Sequence, residues 1–268
     1  MAGSHLAEFS HSAAAVVNVA GPVLGGNLGS GNSVIFDGKI NYLSVTNTGA
    51  TTGFYRDGDP YTVEFFMKYS STQDASASDV TLISFGPNPF TNGLAIQVYN
   101  DNIYYTLGGV LKATRAITGY KDIWKHIAVC RNGDHLTRIF VDGVKQGADI
   151  SSDNGTLTNN KPMVVGAYLN SSGNSSVNGS NFKGLITNIR WTDTCVYTGN
   201  FTKPTSPLQA TQSANPYGGS NTAAISGSSV KVLIICTHGA AYDSSTYHKT
   251  ISGFPPGNLP AASLDGPF

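Results

Sequence analysis

Carboxylates are the first residues to consider for catalysis, and here their types and spacing are unusual. Of the 16 acidic residues, only Glu8 and Glu64 are glutamates, and the other 14 are aspartates. Hydrolysis of a glycosidic bond needs two carboxyl groups flanking that bond, one protonated and one ionised. Glu64 is followed at alternate positions by Phe66 and Lys68, and no spacing among the aspartates suggests a replacement pair. These residues predict no catalytic carboxylate pair.

The histidines form no recognisable catalytic or metal motif. His126 and His135 flank a predicted hairpin, and a Ser-His-Asp site is defined by geometry rather than by sequence order. The nucleophile elbow G-x-S-x-G is absent. His238 and His248 lie near Asp243, but at no recognised metal-ligand spacing. We therefore predict no catalytic and no metal-ligating residue.

Three cysteines and several tyrosines remain as residues with chemistry. Cys130, Cys195 and Cys236 cannot all pair within the chain, and their spacing matches neither a zinc site nor a CxxC redox pair. We favour the interpretation that they are buried small side chains, with a structural disulfide as the alternative. Aromatic rings could stack on a sugar. The exposed candidates are Tyr99, Tyr104, Tyr105 and Tyr120, although nothing singles one out.

The charge balance excludes two classes of partner. Lys plus Arg is 16 and Asp plus Glu is 16, so the formal net charge is zero. Nucleic-acid binding needs clustered Lys and Arg to neutralise phosphates, and anionic membranes attract polybasic segments.

The apolar segments of the sequence are short. The sequence contains no run of about 18 apolar residues, which is the length that a membrane-spanning helix needs. Residues 13–20 are apolar but no basic residue precedes them, so they predict no secretory signal. We expect no nucleic-acid and no membrane partner.

The elements that must position these residues are predicted to be β-strands. Apolar side chains alternate with a period of two from Ser33 onwards, which is typical of half-buried strands, and no sustained 3.6-residue period occurs. Asn132-Gly133 and Asp142-Gly143 predict hairpin turns, because these residue types tolerate positive φ. Regularly spaced strands separated by turn residues indicate an antiparallel β-sandwich.

Composition divides the chain into three parts. Residues 1–32 form an N-terminal apolar arm with Glu8 as its only charge, residues 33–253 form the sandwich, and residues 254–268 form a Pro/Gly-rich C-terminal extension. Residues 1–32 and 204–268 carry very few charges, and such segments can become ordered on the surface of neighbouring subunits. The alternative for residues 1–32 is a flexible leader.

Four segments, in this order, resemble the laminin G-like branch of the concanavalin A-like lectin/glucanase superfamily. The resemblance covers roughly residues 33–253. The first two segments are VIFDG from Val34 with Tyr42-Leu43, and YTVEFFMK from Tyr61. The other two are WKHIAV from Trp124 with IFVDG from Ile139, and FKGLITNIRW from Phe182 followed by YTGNFTKP from Tyr197. The last arrangement is similar to the version found in particle proteins of large algal viruses and tailed phages.

The resemblance implies an all-β fold, a concanavalin A-like jelly-roll sandwich of two antiparallel sheets. The terminal strands of the family usually pair with each other, which would place residues 230–236 beside residues 34–36. Full pairing would also remove exposed strand edges, which favour aggregation.

The resemblance also bears on the candidate site residues. Glycosidase relatives carry a Glu-x-Asp-x-Glu strand motif, and the strand of Glu64 lacks it. His126 occupies the histidine position of the family's Trp-x-His-x-Ala strand, so we expect a structural, hydrogen-bonded histidine. Trp124 and Trp191 could be sugar-stacking platforms, but both occupy strand positions expected to pack in or beside the core. We therefore expect that the protein is not an enzyme.

Calcium is the cofactor that the resemblance leaves open, because several members of the superfamily bind it through aspartates and backbone carbonyls. The candidate oxygen donors are Asp37, Asp142, Asp193 and Asp243. Asp37 and Asp142 each precede a glycine, and we favour a role in Asp-Gly turns over calcium binding.

Two functional hypotheses follow. The leading one is a non-enzymatic structural protein of a virus particle, located in the virion as a minor capsid, decoration or fibre component, with other capsid or tail proteins as partners. The alternative is a carbohydrate-binding module whose glycan ligand would contact the loops at one end of the sandwich or the concave sheet. The two roles can coexist in one protein.

Overall fold

Alternating apolar residues do form strands throughout the part of the chain that the computed structural model describes: residues 33–47, 54, 59–73, 79–85, 93–151, 153–155, 162–169, 180–237, 240–254 and 262–268. The predicted N-terminal arm, with Glu8, lies outside these residues. The strands are β1 Ser33–Asp37, β2 Tyr42–Val45, β3 Tyr61–Tyr69, β4 Val80–Phe85, β5 Leu94–Tyr99, β6 Asn102–Leu107, β7 Val110–Ala116, β8 Trp124–Arg131, β9 Thr137–Val141, β10 Val144–Lys145, β11 Met163–Val165, β12 Lys183–Thr192, β13 Val230–Thr237, β14 Ala240–Asp243, β15 Ile251–Phe254 and β16 Ala262–Ser263.

These strands form two sheets in which all neighbouring strands are antiparallel. One sheet has the order β10-β9-β8-β3-β12-β1-β16, and β13 and β14 extend it from β12. The other has the order β15-β2-β11-β4-β5-β6-β7. The described residues contain no helix long and apolar enough to span a membrane. The prediction of a sandwich of two antiparallel sheets is confirmed.

The inner faces of the two sheets pack around Trp191. Its ring stacks on Tyr61, with centroids 5.3 Å apart, and contacts Phe85 and Phe54 at 4.9 and 5.8 Å. The Trp191 side chain is fully buried, so the prediction that it belongs to the core is confirmed. Such large aromatic side chains bury the most apolar area per residue and dominate the hydrophobic stabilisation.

The predicted pairing of residues 230–236 with residues 34–36 is wrong. β1 pairs with residues 183–186 of β12 and with β16, whereas β13 pairs with residues 189–192 of β12. The register of β12 shifts beside Asn188, which has a φ of 50°. This irregularity divides the long strand, so that β1 and β13 lie end to end along the same edge.

The two predicted turns differ in outcome. Asp142 and Gly143 have φ values of 49° and 79°, and they connect β9 to β10 as predicted. Asn132-Gly133 does lie between β8 and β9, but the positive φ, 60°, belongs to His135. The loop is longer than a two-residue turn because the Asn132 side-chain oxygen accepts the backbone N–H groups of Asp134 and Leu136.

A second apolar cluster lies on the outer face of the larger sheet. Residues 193–229, which we call the cap, cross this face and bury a separate group of side chains against it. Phe201 stacks on Tyr197 at 3.6 Å and contacts Phe140 of β9 at 5.3 Å. The cap therefore buries the middle of this outer face, where Glu64, His126 and Arg190 are fully inaccessible to solvent.

Candidate functional site

Among the residues that the structure describes, the most accessible aromatic pair with polar neighbours lies on the outer face of the smaller sheet. Ile96, Val98, Ile103, Tyr105 and Ala113 belong to the core cluster, and alternation along a strand directs the intervening side chains outward. The accessible outer side chains on β5, β6 and β7, which we call the tyrosine face, are Tyr99, Asn102, Tyr104 and Thr114. Gln97 points to the same side but is buried, and its amide donates to the backbone oxygen of Asp79 and to Thr81.

Cross-strand register brings these side chains together. Tyr104 lies directly opposite Gln97 on one side and Thr114 on the other, and Tyr99 lies opposite Asn102. The rings of Tyr99 and Tyr104 have centroids 6.2 Å apart and are tilted by 54°. Tyr99 is 36% exposed, Tyr104 is half-buried and Thr114 is exposed. The result is an uncharged surface of two aromatic rings beside amide and hydroxyl groups.

The expectation that Tyr105 and Tyr120 are exposed is wrong. Tyr105 alternates with Tyr104 and so faces the core, where its hydroxyl donates to Asp153 at 2.8 Å and contacts the Tyr61 hydroxyl. Tyr120 packs edge-on against Tyr69 and donates to Asp101. Burial together with the neighbouring Asp101 raises the pKa of Tyr69 to about 12.

Glu64 lies on the opposite side of the molecule, beneath the cap. Its carboxylate accepts hydrogen bonds from Arg190, from the Tyr197 hydroxyl at 2.7 Å and from His126 Nε2 at 3.0 Å; we call these four residues the Glu64 cluster. All four side chains are buried. Burial by itself raises the pKa of Glu64, but the Arg190 charge and the other donors outweigh it and lower the pKa to about 2.

This arrangement leaves no acid catalyst at Glu64. A general acid in glycoside hydrolysis must keep its proton until the leaving group takes it, and must reach the substrate. Glu64 is ionised at neutral pH and has no exposed surface. His126 is bonded inside this cluster, so its interpretation as a structural, hydrogen-bonded histidine is confirmed.

The other two histidines that the structure describes, His135 and His248, contribute to no shared site. His135 lies on the β8–β9 loop and contacts the guanidinium of Arg131. His248 is exposed, with Nδ1 3.4 Å from the backbone oxygen of Asp243. His238 lies outside the described residues.

The candidate calcium ligands are bonded within the protein. Oδ1 of Asp37 accepts three backbone N–H groups at 2.8 to 3.1 Å, as an Asp-Gly turn requires. Asp142 binds Lys125 at 2.9 Å, and Asp193 binds Lys231 at 3.0 Å. Asp243 is buried, and both its oxygens accept hydrogen bonds from its own loop and from β13. Among the described residues, no three His, Cys, Asp or Glu side chains group together as a metal site.

Trp124 lies at the surface rather than in the core cluster, because the C-terminal residues hold it there. Its indole N–H donates to Asp265 at 3.0 Å, and Lys68 binds the other oxygen of Asp265 at 2.7 Å. Phe268 packs edge-on against Phe66, with centroids 4.9 Å apart. A cleft of about 280 Å³ opens beside Asp265, lined by Ile35, Phe36, Lys68, Ser70, Asp122, Lys183, Gly184 and Leu185.

Two groups of site residues escape the sequence prediction. The polar members of the tyrosine face, such as Thr114, are missed because β7 is missed. Gly108-Gly109 before it was the available signal, since both residues have positive φ in a hairpin turn. Arg190 and Tyr197 are missed as partners of Glu64 because they are 126 and 133 residues away in sequence.

One solved structure supports the assignment of a two-sheet sandwich, and two others are reported as weaker matches. A Bacteroides ovatus protein whose suggested role is carbohydrate binding superposes with a TM-score of 0.60 at 12% identity, over 90% of this chain and 61% of that one. This chain thus spans less than two thirds of that protein. A heptameric pentraxin from Limulus polyphemus matches with a TM-score of 0.47 at 11% identity, over 64% of this chain and 80% of that one. Mouse laminin α1 domains LG4-5 match with a TM-score of 0.42 at 15% identity, over 60% of this chain and 41% of that one.

Sequence comparison assigns the family. No curated protein sequence matches the chain. A laminin G-type family model, described as the concanavalin A-like lectin/glucanases superfamily, matches residues 37–197, which is more than half of the chain. With this match and two antiparallel sheets of the expected kind, the chain belongs to the concanavalin A-like lectin/glucanase superfamily.

Proposed function

We propose that this protein is a non-catalytic carbohydrate-binding module and that the tyrosine face binds the glycan. The observation that carries the proposal is the pair of accessible rings, Tyr99 and Tyr104, on one face of a lectin-like sandwich. A sugar presents an apolar C–H face and a rim of hydroxyl groups. Aromatic rings bind the first, and a few well-placed polar groups orient the second.

The polar groups beside the rings suit a neutral oligosaccharide. Asn102 and Thr114 can exchange hydrogen bonds with hydroxyl groups, and neither carries a charge. The nearby cations are already engaged: Lys112 lies 3.6 Å from Asp153, and Arg115 donates to the backbone oxygens of Gln146 and Ala148. Because none of the described side chains that form the tyrosine face is itself charged, the face suits a neutral sugar better than an acidic one.

The proposal includes that the protein does not hydrolyse the glycan that it binds. Glu64, the one glutamate in the family-matched region, lies on the other sheet, ionised and covered by the cap. The tyrosine face itself supplies phenol, amide and hydroxyl groups, which cannot serve as the two carboxyl groups that glycoside hydrolysis needs.

A glycan array with the intact protein tests this function, in buffers with and without calcium. We expect binding to one or more neutral oligosaccharides, and recovery of the bound oligosaccharide without new reducing ends. Absence of binding in both buffers would refute the module. Release of new reducing ends would refute the non-catalytic assignment.

We propose as a second function a structural role in a virus particle, with capsid or tail proteins as partners and the virion as location. Exposed apolar side chains on the outermost strands support it: Val110 and Leu111 on β7 are 56% and 53% exposed, and Val144 on β10 is 53% exposed. Outermost strands also present backbone groups for contact with another chain. Contiguous exposed apolar side chains mark interaction surfaces, and Val110 and Leu111 are neighbours on β7.

Imaging of the native assembly tests the structural role. We expect density for the sandwich with β7 or β10 against a neighbouring protein, and reduced incorporation of a Leu111→Lys, Val144→Lys variant. Purified particles that lack the protein, or unchanged incorporation of this variant, would count against the role. Glycan binding could still hold in either case.

A further inference from the structure

Cys130 and Cys195 bring two free thiols into contact between the larger sheet and the cap. Cys130 is near the end of β8, and Cys195 is in the cap, 65 residues later. Their Sγ atoms are 2.9 Å apart, and neither residue is in a disulfide. A disulfide bond is about 2.05 Å long, so closing this bond needs a movement of about 1 Å.

The surroundings of the two sulfurs differ. Cys195 is partly exposed, and the hydrogen bond from Cys130, helped by the Arg138 charge, lowers the pKa of its thiol. Cys130 is buried, and burial raises the pKa of its thiol well above the ordinary value. Because the thiolate is the nucleophile in thiol–disulfide exchange, Cys195 is the thiol placed to react first.

We propose that Cys130 and Cys195 are a reversible thiol pair, which small organic disulfides such as oxidised glutathione convert into a disulfide bond. In the first step the Cys195 thiolate attacks one sulfur of the small disulfide, which forms a mixed disulfide and releases one small thiolate. In the second step Cys130 loses its proton, attacks Sγ of Cys195 and releases the second small thiol. Two protein thiols are oxidised and one small disulfide is reduced to two thiols.

The bond would fix the cap to the sheet that it covers. Thr62 and the backbone N–H of Tyr197 also contact the Cys130 sulfur, at 3.0 and 3.3 Å, so the thiol pair lies at the junction of β3, β8 and the cap. A cross-link across a 65-residue separation restricts the unfolded chain, and restriction of this kind stabilises the folded state. Oxidation would therefore hold the cap closed over the Glu64 cluster.

Cys236 provides the matched control within the same chain. It is buried in the main core, and burial raises the pKa of its thiol to about 12. Neither its reactivity nor its position favours exchange with a dissolved disulfide. The chain has three cysteines, so Cys236 is the only other thiol.

Treatment of the folded, reduced full chain with oxidised glutathione tests the pair, with labelling of the remaining thiols and peptide mass spectrometry. We expect a cross-linked peptide pair containing Cys130 and Cys195, with Cys236 labelled. The Cys130→Ala variant should instead accumulate glutathione on Cys195, and Cys236→Ala should behave as the unmodified chain. A wild-type chain that keeps all three thiols, or that stops with glutathione on Cys195, would overturn the proposal.

Limited proteolysis within the cap provides a second readout that needs no variant. We expect the oxidised wild-type chain to be cut several-fold more slowly between residues 193 and 229 than the reduced chain, and reductant to restore the original rate. Equal rates would overturn the inference that the bond holds the cap closed.

Discussion

Arg190 lies directly opposite Glu64 on the neighbouring strand and donates two hydrogen bonds to the same carboxylate oxygen, 2.8 Å from Nε and 2.6 Å from Nη2. Both side chains are fully buried. A buried ion pair persists only where further donors and acceptors complete it. Here Tyr197 and the backbone oxygen of Gln209 supply them from the cap. The pair therefore couples the cap to the sheet.

Replacement of Glu64 by glutamine should destabilise the protein strongly. Glu64→Gln keeps the volume of the side chain but leaves the buried Arg190 charge without its counter-charge, which costs about 3–5 kcal/mol. Urea denaturation measures the free energy of unfolding. Lys145→Gln is the matched control, because it breaks a half-exposed ion pair with Asp149 and should cost less than about 1 kcal/mol. Equal losses in the two variants would contradict the assignment.

Acid should weaken the fold in a defined range of pH. The folded-state pKa of Glu64 is about 2 and its ordinary value is 4.5, so its contribution is complete above pH 4.5 and is lost as the pH falls toward 2. The difference in free energy of unfolding between the wild type and Glu64→Gln should therefore shrink over this range. Urea titrations at several pH values measure it. A difference that stays constant, or grows as the pH falls, would exclude Glu64 as the titrating group.

The C-terminal residues should protect Trp124 from solvent. Asp265→Ala removes the acceptor of the Trp124 indole and of Lys68. The chain has only two tryptophans and Trp191 is fully buried, so a change in quenching by acrylamide reports on Trp124. We expect acrylamide quenching to increase in Asp265→Ala relative to the wild type. It should not increase in Asp134→Ala, which changes an aspartate on the β8–β9 loop. Unchanged quenching would show that Asp265 does not hold the indole.

Gly143 should tolerate no side chain. Its φ is 79°, and a Cβ there would lie 2.2 Å from the backbone oxygen of Phe201 in the cap. Gly143→Ala should cost about 2 kcal/mol or more, from backbone strain and displacement of the cap. Gly133→Ala is the control: nothing lies within 4 Å of a Cβ there, so its effect should stay within about 1 kcal/mol. Similar thermal midpoints for the two variants would contradict the close approach.

The sheets could be predicted from sequence because alternation records which side of a strand is buried. β3, β5 and β8 are predicted in this way, and Asp142-Gly143 predicts its turn because φ depends on residue type. Strand pairing is different. Nothing local indicates that Asn188 divides β12 between β1 and β13, since the partners lie far apart in sequence.

The candidate site could be predicted only in part for the same reason. Tyr99 and Tyr104 are identified as exposed rings, but Tyr105 is placed with them although strand alternation turns it inward. Arg190 alternates with the core residues Ile189 and Trp191, a position typical of an outward charged side chain, so its sequence context gives no sign of a buried charge partner. Its contact with Glu64 arises from cross-strand register, which is a property of the assembled sheet.

Calorimetric titration of a bound neutral oligosaccharide into wild type and Tyr99→Ala, Tyr104→Ala tests the central claim most directly. The account predicts that the double variant keeps the wild-type thermal midpoint within a few degrees and loses affinity by about tenfold or more, because the stacking surface is gone. Tyr217→Ala, which removes a ring from the cap on the other sheet, should bind as the wild type does. Unchanged affinity in the double variant would contradict the placement of the binding site on the tyrosine face.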